Sequence, residues 1–222
     1  MADPQQPVYG ASPQVLDPVP SALCAEGLSP ASVTGAILWL IRYHFSAASN
    51  IVSPALRSLL WQGYPDGRSD TLPDSALVVE PATKWKADLV QARPGVFVRR
   101  RVWKLDHLGM FGSAYQQDFD GAQKIERQVS GAHVVYCISR NPGEAEELAW
   151  EITGQLEGFS VNVAVDMNMV TFRVAEVPEP APLEESDKHW VVPVGVTYVF
   201  NRAWLVHQAS VPLSKFTIGV QE

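Results

Sequence analysis

Residues 132–156, AHVVYCISRNPGEAEELAWEITGQL, constrain the fold more tightly than any other stretch of this chain. An apolar run over 133–139 meets a helix-start signal at Asn141, Pro142 and Glu144. The Asn141 side chain is placed to accept from an unpaired first-turn amide, and Glu144 to reach back and complete a capping box. Pro142 falls at the first helical position, where its missing N–H costs nothing. Ala145, Leu148, Ala149, Ile152 and Leu156 then recur at helical spacing on one face. Glu144, Glu146, Glu147, Glu151 and Gln155 occupy the rest, and Gly158 is placed to end the helix. A strand that feeds a capped helix lying back on its sheet suits an α+β domain. No residue in the segment is placed for chemistry.

Trp150 departs from that pattern. At roughly 100° per residue it projects about 150° away from the centre of the apolar stripe. Two readings stand: an exposed Trp lying over a loop, since single exposed apolar residues are normal, or a subunit contact, since Trp is enriched at interface hot spots.

The remaining elements divide the chain unevenly. Residues 1–30 hold six of the 17 prolines and are expected to form an extended arm, because such a segment cannot pair regularly in a sheet. Ser29–Pro30 opens a helix through Ile37, Leu38, Leu40 and Ile41 to about Phe45, and Ser53–Pro54 has the same form ahead of Leu56, Leu59 and Leu60. From Ala76 onward strands dominate. Residues 76–80 are short and β-branched. The stretch GVFVRRRVWK (95–104) starts as a strand, then places Arg99, Arg100 and Arg101 on both faces, so its second half is expected to leave the core and project. Residues 106–131 carry four glycines without clean periodicity and read as a long projecting loop at about 105–131. Residues 160–165 and 170–177 read as neighbouring strands around a turn at 166–168, and 178–188 as a solvated acidic connection. Trp190, Val192, Val194, Val196, Tyr198 and Phe200 alternate along one long half-buried strand, in which Pro193 marks a local edge or bulge. The expectation is a single α+β domain over 31–206: a mixed, mainly antiparallel sheet packed with two or three α-helices, followed by a C-terminal extension at 207–222.

Composition narrows the function classes. The chain is 46% hydrophobic and 18% charged, below the usual quarter for charged residues, which favours oligomeric surfaces over an isolated solvated sphere. A formal net charge of -7 argues against nucleic-acid binding through a whole-protein basic field. The two cysteines, Cys24 and Cys137, read as reduced thiols. The N-terminus shows no basic region followed by an apolar core, and no oily run approaches the ~20 residues that cross a bilayer, so a soluble protein made in a cytoplasm is expected, with no membrane partner.

The search for chemistry is negative: no catalytic residue, metal ligand set or cofactor is expected. No phosphate-binding glycine loop or nucleophile elbow appears, and the five histidines are scattered. Asp106–His107 is the best acid–base pair, without a nucleophile near it in sequence. Glu184, Glu185 and Asp187 read as a solvated charge run. Arg99, Arg100, Arg101 and Lys104 have three readings: a solvated strand end, pairing with an acidic patch on an adjacent subunit, or non-specific contact with phosphates of passing DNA.

The order EPATKW (80–85), RPGVFVRR (93–100), AHVVYCIS (132–139), GEAEELAWEI (143–152) and VVPVGVTYVF (191–200) resembles proteins of the tailed-bacteriophage head–tail junction, and most of all the tail terminator (tail-completion) family. The similarity spans roughly residues 50–206, and its motifs are patterns of core packing. The resemblance implies a virion protein that assembles in the host cytoplasm as a homo-hexameric ring. Such a ring caps the tail tube and joins it to the neck or connector proteins, with DNA passing through its lumen. It implies ring-to-ring or intersubunit contacts through Arg99, Arg100, Arg101, Lys104 and Trp150. Two alternatives are a head-completion or stopper protein of the neck and a small hydrolase using Asp106 and His107.

Overall fold

The computed structural model describes residues 28–63, 76–84, 93–106, 114–117, 123–184 and 186–206. Residues 1–27 of the expected arm at 1–30, residues 64–75, His107 and the extension at 207–222 lie outside the described residues.

Two capped helices anchor the structure. Helix α1 (Pro30–His44) has Ser29 as N-cap, its hydroxyl accepting from the Ser32 amide, and buries Val33, Ala36, Ile37, Leu40 and Ile41. Helix α2 (Pro142–Gly158) starts at Asn141, whose side chain accepts from the Gly143 amide. Its stripe of Ala145, Leu148, Ala149, Ile152 and Leu156 is fully buried. Each large aliphatic side chain so buried contributes about 1.5–3 kcal/mol. The capping box takes a different form from the expected one. Glu144 accepts from the Ser139 hydroxyl, which in turn accepts from the Asn141 amide, so a serine relays the contact.

The sheet has seven strands: β1 (Val78–Pro81), β2 (Gly95–Asp106), β3 (Ala114–Gln117), β4 (Gln123–Ser139), β5 (Met169–Glu176), β6 (Ala181–Leu183) and β7 (Ser186–Val206). Its main order is β1-β2-β4-β7-β5, with β3 on β4 and β6 on β7. Among the described residues only β1–β2 is parallel; every other pair is antiparallel. This is an α+β fold, a mixed and mainly antiparallel sheet packed with helices. Both helices cover the face that carries Val96, Val98, Val135, Cys137, Val192, Val194 and Val196. The alternate residues Phe97 and Ile138 point to the opposite face and join Val78, Tyr136, Leu183 and Val191 in a smaller cluster.

Four elements differ from the sequence expectation. Residues 114–117 and 123–131, read as part of a loop at 105–131, are strands. Gln123–Gln128 of β4 pair with the last residues of β7, and the ladder satisfies their backbone groups. Residues 160–165, read as a strand, fall in helix α3 (Ser160–Asp166), because the chain carries on from α2 through the Val163 amide to the Phe159 carbonyl. The Ser53–Pro54 signal yields only one 3₁₀ turn (Pro54–Leu56) that drops Leu56 into the core. The acidic connection carries the short strand β6, which holds Leu183 against the smaller cluster. Pro193 sits between Val191, paired with β6, and Gly195, paired with β5, where that edge of β7 has no neighbour in either ladder.

Candidate assembly surface

Strand β2 buries its first four residues and exposes the next eight. Strand β1 pairs only with Gly95, Val96, Phe97 and Val98, so among the described residues the outer edge of β2 is open from Arg99 onward. On its inner edge β2 continues along β4 as far as Asp106, and β3 takes up the same edge of β4 from Glu126 to Gln123. Strand β7 follows β4 on the other side to Val206, whereas β5 leaves β7 at Phe200. The result is a three-stranded β-arm that extends the sheet past its helical cover. Arg99, Arg100, Arg101 and Lys104 are all exposed along its rim, beside the exposed side chains of Val102, Trp103 and Leu105.

The root of the arm is held by buried polar contacts. The Thr34 hydroxyl donates to the Pro30 carbonyl at 3.0 Å, which leaves it to accept from His133 Nε2 at 2.7 Å. His133 is completely buried. Desolvation, aided by the nearby Arg100 charge, pushes its pKa down to about 4. Across the ladder Tyr198 lies over Gly131, its pair in β4. A Cβ on Gly131 would fall 2.5 Å from the Tyr198 Cζ atom, so only glycine fits beneath that ring. Burial raises the Tyr198 phenol to about 12.

An open groove of about 1190 Å³ runs from the α1 side round the free edge of β2 onto the uncovered sheet face. Its walls are apolar (Leu38, Phe97, Ile138, Leu183 and Val191 among them), and Arg99, Arg100 and Arg101 line one side. Arg101 reaches the Tyr136 hydroxyl at 3.5 Å.

Trp150 lies elsewhere. It is 76% exposed on the solvent side of α2, next to the exposed Glu146 and Glu147, which stand one turn before it on the same helix. A shallower depression lined by Ala55, Leu56, Glu146, Glu147 and Trp150 adjoins it. The arginines and Trp150, both singled out from sequence, are therefore not brought together within one copy.

Glu151, read from sequence as part of the solvated face of α2, is buried instead. Its carboxylate accepts from the Val52 amide at 2.7 Å, the Ser53 amide at 3.0 Å and His44 Nε2 at 2.7 Å. Burial alone would raise its pKa, but those donors outweigh it and hold the carboxyl below the usual range. A second buried contact pins the sheet edge: Arg42 donates to the Val79 carbonyl at 2.8 Å and to Glu80 at 3.2 Å. Both contacts tie the helical layer to neighbouring backbone. No sequence signal marked Glu151, because its partners lie 98 to 107 residues away.

The other sequence candidates stay apart. Asp106 accepts from the Ser130 hydroxyl at 2.5 Å on the exposed arm. Glu184 is exposed, and the side chains of Glu185 and Asp187 lie outside the described residues. Among the described residues no group of three or more His, Cys, Asp or Glu is placed to hold a metal ion. Nor is any helix among them long and apolar enough to cross a membrane. Compared with known proteins, the chain matches no family model and no curated sequence.

Proposed function

We propose that this chain is a structural virion protein of a tailed phage. In this reading it is a ring-forming tail terminator that caps the tail tube and presents its other side to the neck or connector. The observation that carries the reading is the β-arm. A helix-covered body sends out an arm three strands wide whose rim is basic, exposed and, among the described residues, open along one edge, a form suited to meeting another protein layer. The large buried polar groups support it: His44–Glu151 and Arg42–Glu80 spend their hydrogen bonds on neighbouring backbone and on each other. The ordered motifs that resemble those of tail terminators point the same way, as does a chain with only 18% charged residues.

In this role the mechanism is geometric. Subunits joined head to tail close into a ring when the rotation between neighbours permits. The ring blocks further tube subunits, and its exposed arginines bind carboxylates of an adjoining layer or phosphates of DNA in the lumen.

The test is direct. Purified chain added to tail tubes should stop their elongation and appear by negative-stain microscopy as a cap at one end. A gold label on the protein in intact virions should lie at the junction of head and tail. A label in the capsid or at the distal tail tip, with tubes that elongate normally, would overturn the reading. A label one layer nearer the head would make it a head-completion or stopper protein.

A further inference from the structure

We infer that the groove beside Arg99 and Arg101 receives the Trp150 face of a second copy of this chain. The inference rests on the ring reading and names the surfaces that join one subunit to the next.

Three observations carry it. The first is shape and polarity. The groove is lined by the half-buried Leu38, Leu183 and Val191 over the buried Phe97 and Ile138, in an open volume of about 1190 Å³. Among the described residues Trp150 is the most exposed aromatic side chain, at 76%, and it stands on a regular helix. Trp, Tyr and Arg are the residues enriched at interface hot spots, which cluster in well-packed, desolvated pockets.

The second is charge. Arg99 and Arg101 are exposed on the groove's side, while Glu146 and Glu147 are exposed one turn from Trp150. Seating the indole in the groove brings two carboxylates to two guanidiniums, which are suited to bidentate pairing. The same arrangement repels a groove from a groove and a Trp150 face from its own kind, so like surfaces are rejected.

The third is placement. Trp150 stands on the outer surface of the helical layer, and the groove floor lies on the sheet face turned away from it. The two patches cannot meet within one copy. Joined between copies they form a head-to-tail contact, which generates a ring or an open filament and not a two-fold dimer.

Charge reversal tests this on the full-length chain, with sedimentation velocity as the readout and circular dichroism to confirm folding. R99E/R101E and E146R/E147R should each weaken self-association about thirtyfold or more, the scale of a hot-spot loss. Mixed in equal amounts the two should associate, because each supplies the surface the other lacks. The chain carrying all four reversals should associate with itself again. W150A should lose association without rescue by either partner's reversed charges.

Wild-type assembly that survives both reversed pairs would overturn the interface and leave the groove to another occupant, such as the chain's own residues 1–27. So would a folded wild-type chain that stays monomeric at every concentration, both alone and on tail tubes. Failure of the interface is separable from failure of the proposed function: in the first case the reversed variants still cap tail tubes, and in the second the wild-type chain caps none.

Discussion

Replacing Glu151 should unfasten the loop at 51–53 from the helical layer. The carboxylate accepts three hydrogen bonds, from the Val52 and Ser53 amides and from His44, at 2.7, 3.0 and 2.7 Å. A hydrogen bond to a charged partner contributes about 1.5–3 kcal/mol, and three that share one carboxylate do not add in full. Glu151→Ala leaves His44 buried without its acceptor, so the expected loss is about 3–5 kcal/mol. For a chain of this length that corresponds to a fall in Tm of roughly 10 °C or more. Glu151→Gln keeps one carbonyl acceptor but turns amide hydrogens toward a donor, and should lose about 2 kcal/mol.

The pH dependence is equally specific. The folded pKa of Glu151 lies below its unfolded value, so the folded state binds fewer protons in the window between the two. Its stabilisation is therefore fully present above the unfolded Glu pKa of about 4.3 and is lost as pH falls through the lower folded value. Urea titrations from pH 7 down to pH 3 should show wild type and Glu151→Gln converging on the acid side. A Glu151→Ala protein within about 0.5 kcal/mol of wild type at pH 7 would refute the idea that this contact fastens the loop. So would an unchanged gap between wild type and Glu151→Gln at every pH.

Two further outcomes follow from the root of the arm. Gly131→Ala places a methyl against the Tyr198 ring, which must swing out of its stack with Phe200, so a loss of about 2 kcal/mol is expected in chemical denaturation; the double variant with Tyr198→Phe, which removes only the hydroxyl, should recover little, because ring carbon also clashes. His133 is depressed to about 4 by burial, so its contribution is complete above the unfolded pKa of about 6.5 and fades as pH falls toward 4. The imidazole proton shifts should titrate near pH 4, and His133→Gln should flatten the stability profile between those two values; a midpoint above 6 would contradict its burial.

How much of this was legible in the sequence depends on what each element is packed against. Helices α1 and α2 were readable because Ser29–Pro30 and Asn141–Pro142 mark their starts and a single apolar stripe runs down each. Strand β7 was readable where it alternates against the core, from Trp190 to Phe200. Its continuation (NRAWLV, 201–206) and the outer half of β4 (QKIERQVSG, 123–131) were not, because neither stretch alternates apolar with polar residues along its length. Residues 160–165 misled for the opposite reason. Val161, Val163 and Val165 alternate as a strand does, yet Val161 and Val165 are exposed, and hydrogen bonds carried over from α2 decide the conformation. The groove was hidden because only the register of β2, β4 and β7 brings Phe97, Ile138 and Val191 to one face. Arg99, Arg100, Arg101 and Trp150 were visible as residues that no core could absorb, and all four are exposed.

Strands β4 and β7 pair from Gln123–Val206 to Ser139–Trp190 without a register shift. At about 3.4 Å per residue that is a twin-railed girder on the order of 50 Å long, bolted at one end into the helices and, among the described residues, flanked by β3 at the other. Lacking a joint along those rails, it would behave as a lever. A small push on its tip would tilt the whole body, and the proposed mating face on α2 would swing with it. Whatever grips the far end would thereby set the angle at which the next copy is met.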